Sequence, residues 1–283
     1  MLTRRRGTLY LAGAVILAAP PAIWLIASYP HSALAPLPPT GPGYSDVRAA
    51  LPVPLEAVRQ DPMLLVRLGR ERYLREIREY RCVLLKQERL AGGLTPVQEV
   101  EVRYRETPHT VYMLWRKNAD QAKRALWMQD PRFVDKIGRK VALVEPAGAI
   151  ARLFVSELFV PIDGPEARKL SRRTIDECGF RSTFELLERY NALAQERGVL
   201  KLWFDGFGEI DGRPTYVIRR DLPYEGPNGP YPDGRMVLHL DQEWLLPVAV
   251  FSYADQAEKE LLGSYVFTKV ELNPGFADDA FTF

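Results

Sequence analysis

From Arg81 onward, apolar and polar residues alternate with a period of two, the pattern of strands whose two faces meet different surroundings. In the second of these segments, residues 97–105, Val100, Val102 and Tyr104 share one face and charged residues occupy the other. The pattern therefore predicts an antiparallel sheet with one dry and one wet face. The same alternation predicts neighbouring strands over residues 81–90, 109–117, 123–130 and 139–145.

Two segments instead repeat apolar residues at three- and four-residue steps, which is typical of amphipathic helices. The first helix is predicted over residues 62–80, after the start signal Asp61-Pro62. The second is predicted over residues 183–197, after a capping box at residues 182–185. Residues 147–175 fit no single pattern and are assigned only as mixed helix and loop.

The second helix is followed by five more predicted strands, over residues 199–207, 214–221, 235–241, 246–253 and 261–272. About ten strands with only two clear helices predict an α+β fold rather than a parallel, doubly wound one. We expect a large curved antiparallel sheet, an open half-barrel, wrapped around two or three helices and preceded by an N-terminal membrane-spanning or signal helix.

The N-terminal segment differs from the rest of the chain. Arg4, Arg5 and Arg6 precede an uncharged, largely apolar stretch at residues 7–28. Such a span can cross a bilayer as a helix, and the arginines favour a cytoplasmic N-terminus. The remainder is therefore expected to be exported to the periplasmic side of the inner membrane. The stretch is either a retained signal anchor or a signal peptide cleaved after residues 33–35, a small-x-small triplet.

The domain boundaries follow from this reading. Residues 1–29 form the signal anchor or signal peptide. Residues 30–43 contain five prolines and predict a stiff extended linker. Residues 44–283 then form the folded domain, which is long enough for a substantial core.

Composition narrows the classes of function. The chain has 38 basic and 36 acidic residues and a formal net charge of +2, without the basic excess that nucleic-acid binders usually show. The sequence has no phosphate-binding glycine loop, no nucleophile-elbow serine and no paired-histidine zinc motif. We therefore expect that the protein is not an enzyme and has no catalytic residues, no metal and no cofactor.

The two cysteines, Cys82 and Cys178, are the remaining candidates for chemistry. Export would place them where disulfides form and persist, and a bridge would close a loop of about 100 residues. Two other interpretations stay open. Cys82 is an ordinary small residue on the dry face of its strand, or one of the thiols is a nucleophile.

The dry face of the sheet is the candidate binding surface. Two helices cover a large sheet only in part, and an uncovered area would form an apolar groove suited to acyl chains. The alternative is an ordinary filled core. The residues expected to line the groove are Val102, Tyr104, Met113, Trp115, Leu202, Phe204, Ile218, Leu238 and Val250. The alternation also places Val266 on the dry face.

Three stretches resemble a bacterial family known as domain of unknown function 1571. They are residues 80–89 (YRCVLLKQER), residues 105–115 (RETPHTVYMLW) and residues 238–276, with the motifs LHLD, LPV and VELNPGF. The third stretch is also similar to LolA-type periplasmic lipoprotein carriers. The resemblance covers about residues 65–283. It implies that the domain at residues 44–283 is a LolA-like antiparallel half-barrel with an apolar cavity for lipid.

The apolar face and the resemblance together predict a non-enzymatic cell-envelope protein that binds lipid or lipoprotein acyl chains. The alternative is a membrane-tethered periplasmic sensor or protein-interaction domain with an envelope protein as partner. The proline-rich loop at residues 223–233 is the candidate contact for that partner. The inner membrane is a further expected partner, through the N-terminal helix, and nucleic acid is not.

Overall fold

A computed structural model describes residues 53–148 and 157–283 of the chain. The predicted signal segment and linker lie outside the described residues, as does the start of the predicted domain. Within the described ranges, no helix is long and apolar enough to cross a membrane.

The first half of the described chain contains two helices followed by a meander of strands. The helices are α1 (Leu55–Gln60) and α2 (Met63–Glu76). The strands are β1 (Glu79–Leu90), β2 (Gly93–Leu94), β3 (Gln98–Arg105), β4 (Thr110–Lys117), β5 (Ala122–Met128), β6 (Val141–Pro146) and β7 (Leu158–Pro161).

The second half begins with helices α3 (Pro165–Leu170) and α4 (Phe180–Glu196) and continues as a second meander. Its strands are β8 (Lys201–Ile210), β9 (Arg213–Asp221), β10 (Arg235–Asp241), β11 (Pro247–Tyr253) and β12 (Leu261–Leu272). Short 3-10 helices lie at Pro131–Phe133, Ile175–Glu177 and Asp278–Phe281.

These strands form one sheet of 12, in the order β7-β6-β5-β4-β3-β1-β12-β11-β10-β9-β8, with β2 attached to β1. The first strand, β1, and the last, β12, pair antiparallel at its centre, with Tyr80 opposite Leu272 and Glu88 opposite Gly263. The segment that joins the two edge strands, β7 and β8, carries α3 and α4. The predicted fold class, a large antiparallel half-barrel with a few helices, is confirmed.

The two faces of the sheet differ as the alternation predicts. The inner face carries Val100, Val102 and Tyr104, which are fully buried, and α2 and α4 pack against it. The outer face carries the alternating charged residues of β3. The helix residues that share the core of the inner face include Leu65, Val66 and Tyr73 of α2 and Phe180, Phe184 and Leu187 of α4.

The first predicted helix ends earlier than its apolar spacing indicates. Helix α2 stops at Glu76, because Ile77 is extended and Tyr80 already pairs with Tyr104 in the sheet. Its predicted start signal is present, since the Met63 amide donates to the Asp61 Oδ1 atom at 3.1 Å.

The second predicted helix begins earlier than predicted, at Phe180. The predicted capping box is wrong, because Thr183 lies inside the helix and its hydroxyl donates to the Gly179 carbonyl at 2.9 Å. A reciprocal capping box instead joins Thr174 and Glu177 around the preceding 3-10 helix.

Candidate functional site

A cavity of about 760 Å³ lies between the inner face of the sheet and helices α3 and α4. Strands β1, β4, β5, β6, β10, β11 and β12 provide one wall, and the two helices provide much of the other. Most of the lining side chains are apolar, and they include Leu84, Met113, Trp115, Ala125, Ala142, Val144, Val160, Ile162, Leu170, Leu186, Leu187, Met236, Val250 and Phe267.

The register of the sheet explains why this area is not filled. Met113 lies opposite Ala125, and Ala125 lies opposite Val144, so one apolar row crosses β4, β5 and β6. Ala142 is on the same face as Val144, because alternate residues of a strand share a face. The short side chains of the two alanines leave space between the sheet and the helices.

The cavity opens to solvent near β7 and α3. Four residues of its wall that are exposed, Asp120, Gln121, Gly148 and Glu166, mark this opening. Leu158, at the start of edge strand β7, also belongs to the wall and is 38% exposed. An apolar ligand could therefore enter without passing through the packed part of the core.

One end of the cavity is polar, and its lining residues Lys86, Ser171 and Tyr265 surround Glu88 of β1, which lies behind the cavity wall. This carboxylate is fully buried and accepts hydrogen bonds from the Tyr265 hydroxyl at 2.6 Å and the Arg172 amide at 3.2 Å. The Ser171 hydroxyl also donates to it, at 3.3 Å, and the Lys86 Nζ atom lies 3.0 Å away. Burial and the adjacent Glu88 carboxylate raise the pKa of Tyr265, which therefore stays a hydrogen-bond donor.

A second buried charge, Arg220 of β9, lines the same cavity and is 2% exposed. Its guanidinium donates to the Asn191 side-chain oxygen at 3.0 Å and to Asp233 at 2.9 Å. The Ser252 hydroxyl donates to the other Asp233 oxygen at 3.1 Å. Paired charges of this kind are tolerated in a buried setting because each is hydrogen-bonded.

The family to which the chain belongs follows from a sequence comparison. A family model described as "Protein of unknown function (DUF1571)" matches residues 77–283, which is most of the chain. The chain belongs to the DUF1571 family. The resemblance in the three sequence stretches is thereby confirmed. No curated protein sequence matches the chain.

Several solved structures are similar to this DUF1571 protein. They include MucB of Pseudomonas aeruginosa in complex with MucA (14% identity, TM-score 0.43, 77% of this chain and 60% of that one). Lipoprotein LppX of Mycobacterium tuberculosis has 14% identity and a TM-score of 0.42, over 77% of this chain and 100% of that one. A LolA superfamily protein of Nitrosomonas europaea has 10% identity and a TM-score of 0.34, over 78% and 97%. The DUF1571 chain thus spans about 60% of the length of MucB.

The residues predicted to line a groove fall into three groups. Met113, Trp115 and Val250 line the cavity. Leu202 and Phe204 are half-buried near the β8 edge and do not reach it. The remaining four are buried in the packed core: Val102, Tyr104, Ile218 and Leu238. The inner face of this DUF1571 domain is therefore filled in one part and open in another, and a ligand-binding role for the three cavity residues stays a prediction.

One predicted inner-face residue, Val266, is on the outer face. It lies opposite Leu85 and Ala249, whereas its neighbours Tyr265 and Phe267 line the cavity. Tyr265, Val266 and Phe267 are consecutive apolar residues, so alternation alone does not show which of them faces inward. The prediction was wrong by one residue, which in a strand reverses the face.

The polar end of the cavity was missed by the sequence analysis, although a signal for it exists. Tyr216 and Ile218 were read as inward-facing, and Arg220 is the next residue in that alternation. Glu88 likewise continues the alternation of Cys82 and Leu84 on β1. Charged residues in phase with an apolar face are the pattern that indicates a buried polar site.

The two cysteines of the DUF1571 domain are buried neighbours. They carry no disulfide, and Cys178 lines the cavity next to the start of α4. Burial raises the pKa of the Cys178 thiol to about 12, and burial together with Cys178 raises the pKa of the Cys82 thiol well above its ordinary range. Neutral thiols are poor nucleophiles. The predicted bridge between the two stays a prediction.

The proline-rich loop at residues 223–233 is anchored at one end. Tyr231 and Asp233 are buried, and Arg197 of the α4 end lies over the Tyr231 ring at 5.8 Å. The exposed positions are concentrated at residues 223–228. Within residues 53–148 and 157–283, no group of three or more His, Cys, Asp or Glu side chains is placed to hold a metal ion.

Proposed function

We propose that this protein is a non-enzymatic component of the cell envelope that binds the acyl chains of lipids or lipoproteins in its cavity. The observation that supports the proposal is the cavity itself, whose volume of about 760 Å³ lies within the range of small-molecule sites. Its lining is apolar over most of its extent and it opens to solvent beside β7.

Acyl chains suit such a cavity because their burial needs no directional partner. Removing apolar surface from water contributes about 25 cal/mol per Å². An empty cavity of this kind also leaves the facing walls without contacts, which a flexible chain can restore by filling an irregular space. Both effects favour a long, unbranched apolar ligand over a compact polar one.

The chemistry of the lining supports binding rather than catalysis. The thiol of Cys178 is held in its neutral form by burial, and the Asp233 carboxylate accepts from Arg220 and Ser252. The N-terminal arginines and apolar stretch support export to the periplasmic side of the inner membrane, with the segment either retained as an anchor or cleaved.

The test is native mass spectrometry of the full chain, purified from membranes in a neutral maltoside detergent, combined with titration of a dansyl-labelled fatty acid. We expect co-purifying lipid in stoichiometric amount and saturable fluorescence. Val144→Trp should abolish both, because Val144 lines the cavity and a tryptophan there would occupy it.

Leu143→Trp is the matched control for this variant. Leu143 is a half-buried neighbour on the same strand, and its side chain points to the opposite face. It should bind the fatty acid as the unmodified protein does. A clean lipid-free mass with no fatty-acid binding by the unmodified protein would overturn the proposal and favour a protein partner as the ligand.

A further inference from the structure

The polar end of the cavity presents a guanidinium donor without an acceptor. The terminal nitrogens of Arg220 are occupied by Asn191 and Asp233, whereas its Nε atom has no hydrogen-bond partner in the described part of the chain. Arg220 is 2% exposed and lines the cavity. A buried donor that has lost water without gaining an acceptor costs free energy. An oxygen atom of a ligand would remove that cost.

A second arginine, Arg173, lines the same cavity. Its charge interacts with Tyr265, Glu177 and Tyr190. None of the ion pairs within 4.0 Å formed among the described residues includes it. Its side chain also makes a hydrogen bond with Tyr190. A guanidinium has five N–H donors, so Arg173 keeps donors for a further acceptor.

Chain contacts bring these groups to one end of the cavity. The preceding residue, Arg172, donates through its side chain to the Pro232 carbonyl at 3.0 Å, beside Asp233. Its backbone amide donates to Glu88, which binds the Tyr265 hydroxyl that also interacts with Arg173. The segment after α3 thus links the Glu88 group to the Arg220 group.

The carboxylates at this end are paired with cations. Asp233 accepts from Arg220 and Ser252. The Glu88 Oε1 atom accepts from Tyr265, and its Oε2 atom has no hydrogen-bond donor but lies 3.0 Å from Lys86 Nζ in an ion pair. The cationic side chains that keep donors for a ligand are those of Arg220 and Arg173. An arginine forms stronger hydrogen bonds with carboxylate or phosphate oxygens than with neutral acceptors, because both partners are charged and their geometries fit.

We propose that the cavity binds an anionic amphiphile, with its acyl chain along the apolar wall and its oxyanion head group accepting hydrogen bonds from Arg220 Nε and the Arg173 guanidinium. This inference rests on the proposed function and adds the chemistry of the head group. The shared chemistry is a carboxylate or phosphate on an acyl chain.

The experiment compares ligands that differ only in their head group, using the full chain in neutral maltoside detergent. Palmitate, hexadecanol and palmitoyl lysophosphatidic acid each compete against the dansyl-labelled fatty acid. We expect at least one of the two anions to bind about tenfold or more tightly than the alcohol, as a charge-assisted hydrogen bond would give. Preference for palmitate identifies a carboxylate head group, and preference for the lysophosphatidic acid identifies a phosphate.

Two variants test whether the preference for anions over the alcohol depends on Arg173 and Arg220. Arg173→Gln should reduce the advantage of the anion about tenfold while hexadecanol binding stays the same. Arg220→Lys keeps a cation beside Asp233 but removes the Nε donor, and it should have the same effect. Arg116→Gln is the matched control, because Arg116 is an exposed arginine of β4 that pairs with Glu101 and is not part of the cavity wall.

The outcomes separate this inference from the function on which it rests. Equal binding of the alcohol and both anions by the unmodified protein would overturn the head-group inference and leave acyl-chain binding intact. An anion preference that survives both Arg173→Gln and Arg220→Lys, with melting temperatures near that of the unmodified protein, would also overturn it. Absence of binding by all three ligands would instead refute the proposed function.

Discussion

The backbone at Gly179 has a φ of +109° and passes close to two aromatic rings. A Cβ atom at this position would lie 2.2 Å from the Tyr80 hydroxyl oxygen and 3.1 Å from the Tyr104 ring. The Phe180 amide donates to the same hydroxyl at 3.2 Å, and the two tyrosine rings stack at 4.7 Å. The contact fixes the first turn of α4 against β1, so the position of the cavity wall depends on this glycine.

Gly179→Ala is expected to lower the free energy of unfolding by about 3 kcal/mol, because it combines backbone strain with an overlap in a packed region. Gly198→Ala is the matched control. Gly198 also has a positive φ, +68°, but no atom lies within 4 Å of an added Cβ, so only about 1 kcal/mol of backbone strain is expected. Urea unfolding measures both, and equal losses would contradict the contact with Tyr80.

His109 is a half-buried ionisable residue just before β4. Its ring lies 5.1 Å from the Tyr104 ring and 4.9 Å from the Trp127 ring, between centroids. Burial lowers its pKa, and the nearby Glu106 and Asp176 carboxylates oppose that shift only in part. The unfolded chain therefore binds this proton at a higher pH than the folded chain does.

Protonation of His109 therefore favours the unfolded chain. Its contribution to the free energy of unfolding is lost as the pH falls from about 6.5, the ordinary histidine pKa, through the lower pKa of the folded state. His109→Phe keeps an aromatic ring and should weaken the loss of stability between about pH 7.5 and about pH 5.5. The measurement is the unfolding free energy at both pH values. His239 is present in both proteins, so the difference reports His109 alone, and equal pH dependence would refute the prediction.

At the scale of elements, the last ten residues, 274–283, lie along the outer face of the sheet. Arg103 of β3 donates to the Ala280 carbonyl at 2.8 Å, and Arg105 lies over the Phe281 ring at 4.8 Å. Further along, Arg124 of β5 lies over the Phe283 ring at 4.7 Å. The segment covers charged side chains that the sequence pattern assigns to a wet face.

Deletion of residues 274–283 is expected to cost about 3 kcal/mol of unfolding free energy, because Phe281 and its aromatic neighbours lose their packing. Fatty-acid binding should be unchanged, since the cavity is on the inner face. Thr282→Ala, at an exposed position of the same segment, is the control and should be near neutral. Loss of fatty-acid binding by a deletion variant that still folds would contradict this assignment of faces.

Long regular elements could be predicted from the sequence because their pattern is local. The strands containing Val102, Met113 and Val250 were found by alternation, and so was the turn at Asp211-Gly212, where both residues have positive φ. Short elements could not be found in this way. Strands β2 and β7 and helices α1 and α3 are two to six residues long, too few for a period to be recognised.

The site was less predictable than the sheet because it depends on contacts distant in sequence. Val102 and Met113 are opposite one another on neighbouring strands, yet only Met113 reaches the cavity, since the neighbouring helix start covers part of the inner face. The position of this helix start depends on the contact between Gly179 and Tyr80, which are about 100 residues apart in sequence. No periodicity within a strand contains this information.

At the scale of the whole molecule, the cavity results from a mismatch between a wide sheet and few helices. Ile218 and Leu238 are buried in the core that side chains of α2 and α4 share. Short α3 and the alanines of β5 and β6 leave the remainder of the inner face open. A ligand that fills this space would stabilise the native state in proportion to its occupancy, by about 2.7 kcal/mol at a hundredfold excess over its dissociation constant.

The pairing of β1 with β12 has a consequence for synthesis. Strand β1 pairs with β3 on one side and with β12 on the other. It cannot form the second pairing until residues 261–272 have been synthesised. Until then a central strand is an exposed edge, which is a template for pairing with other chains. Contacts so distant in sequence also form slowly. A cell that makes this protein therefore has to shield an unfinished sheet during translation and any translocation, and a ribosome stalled before residue 261 would leave a product that cannot close it.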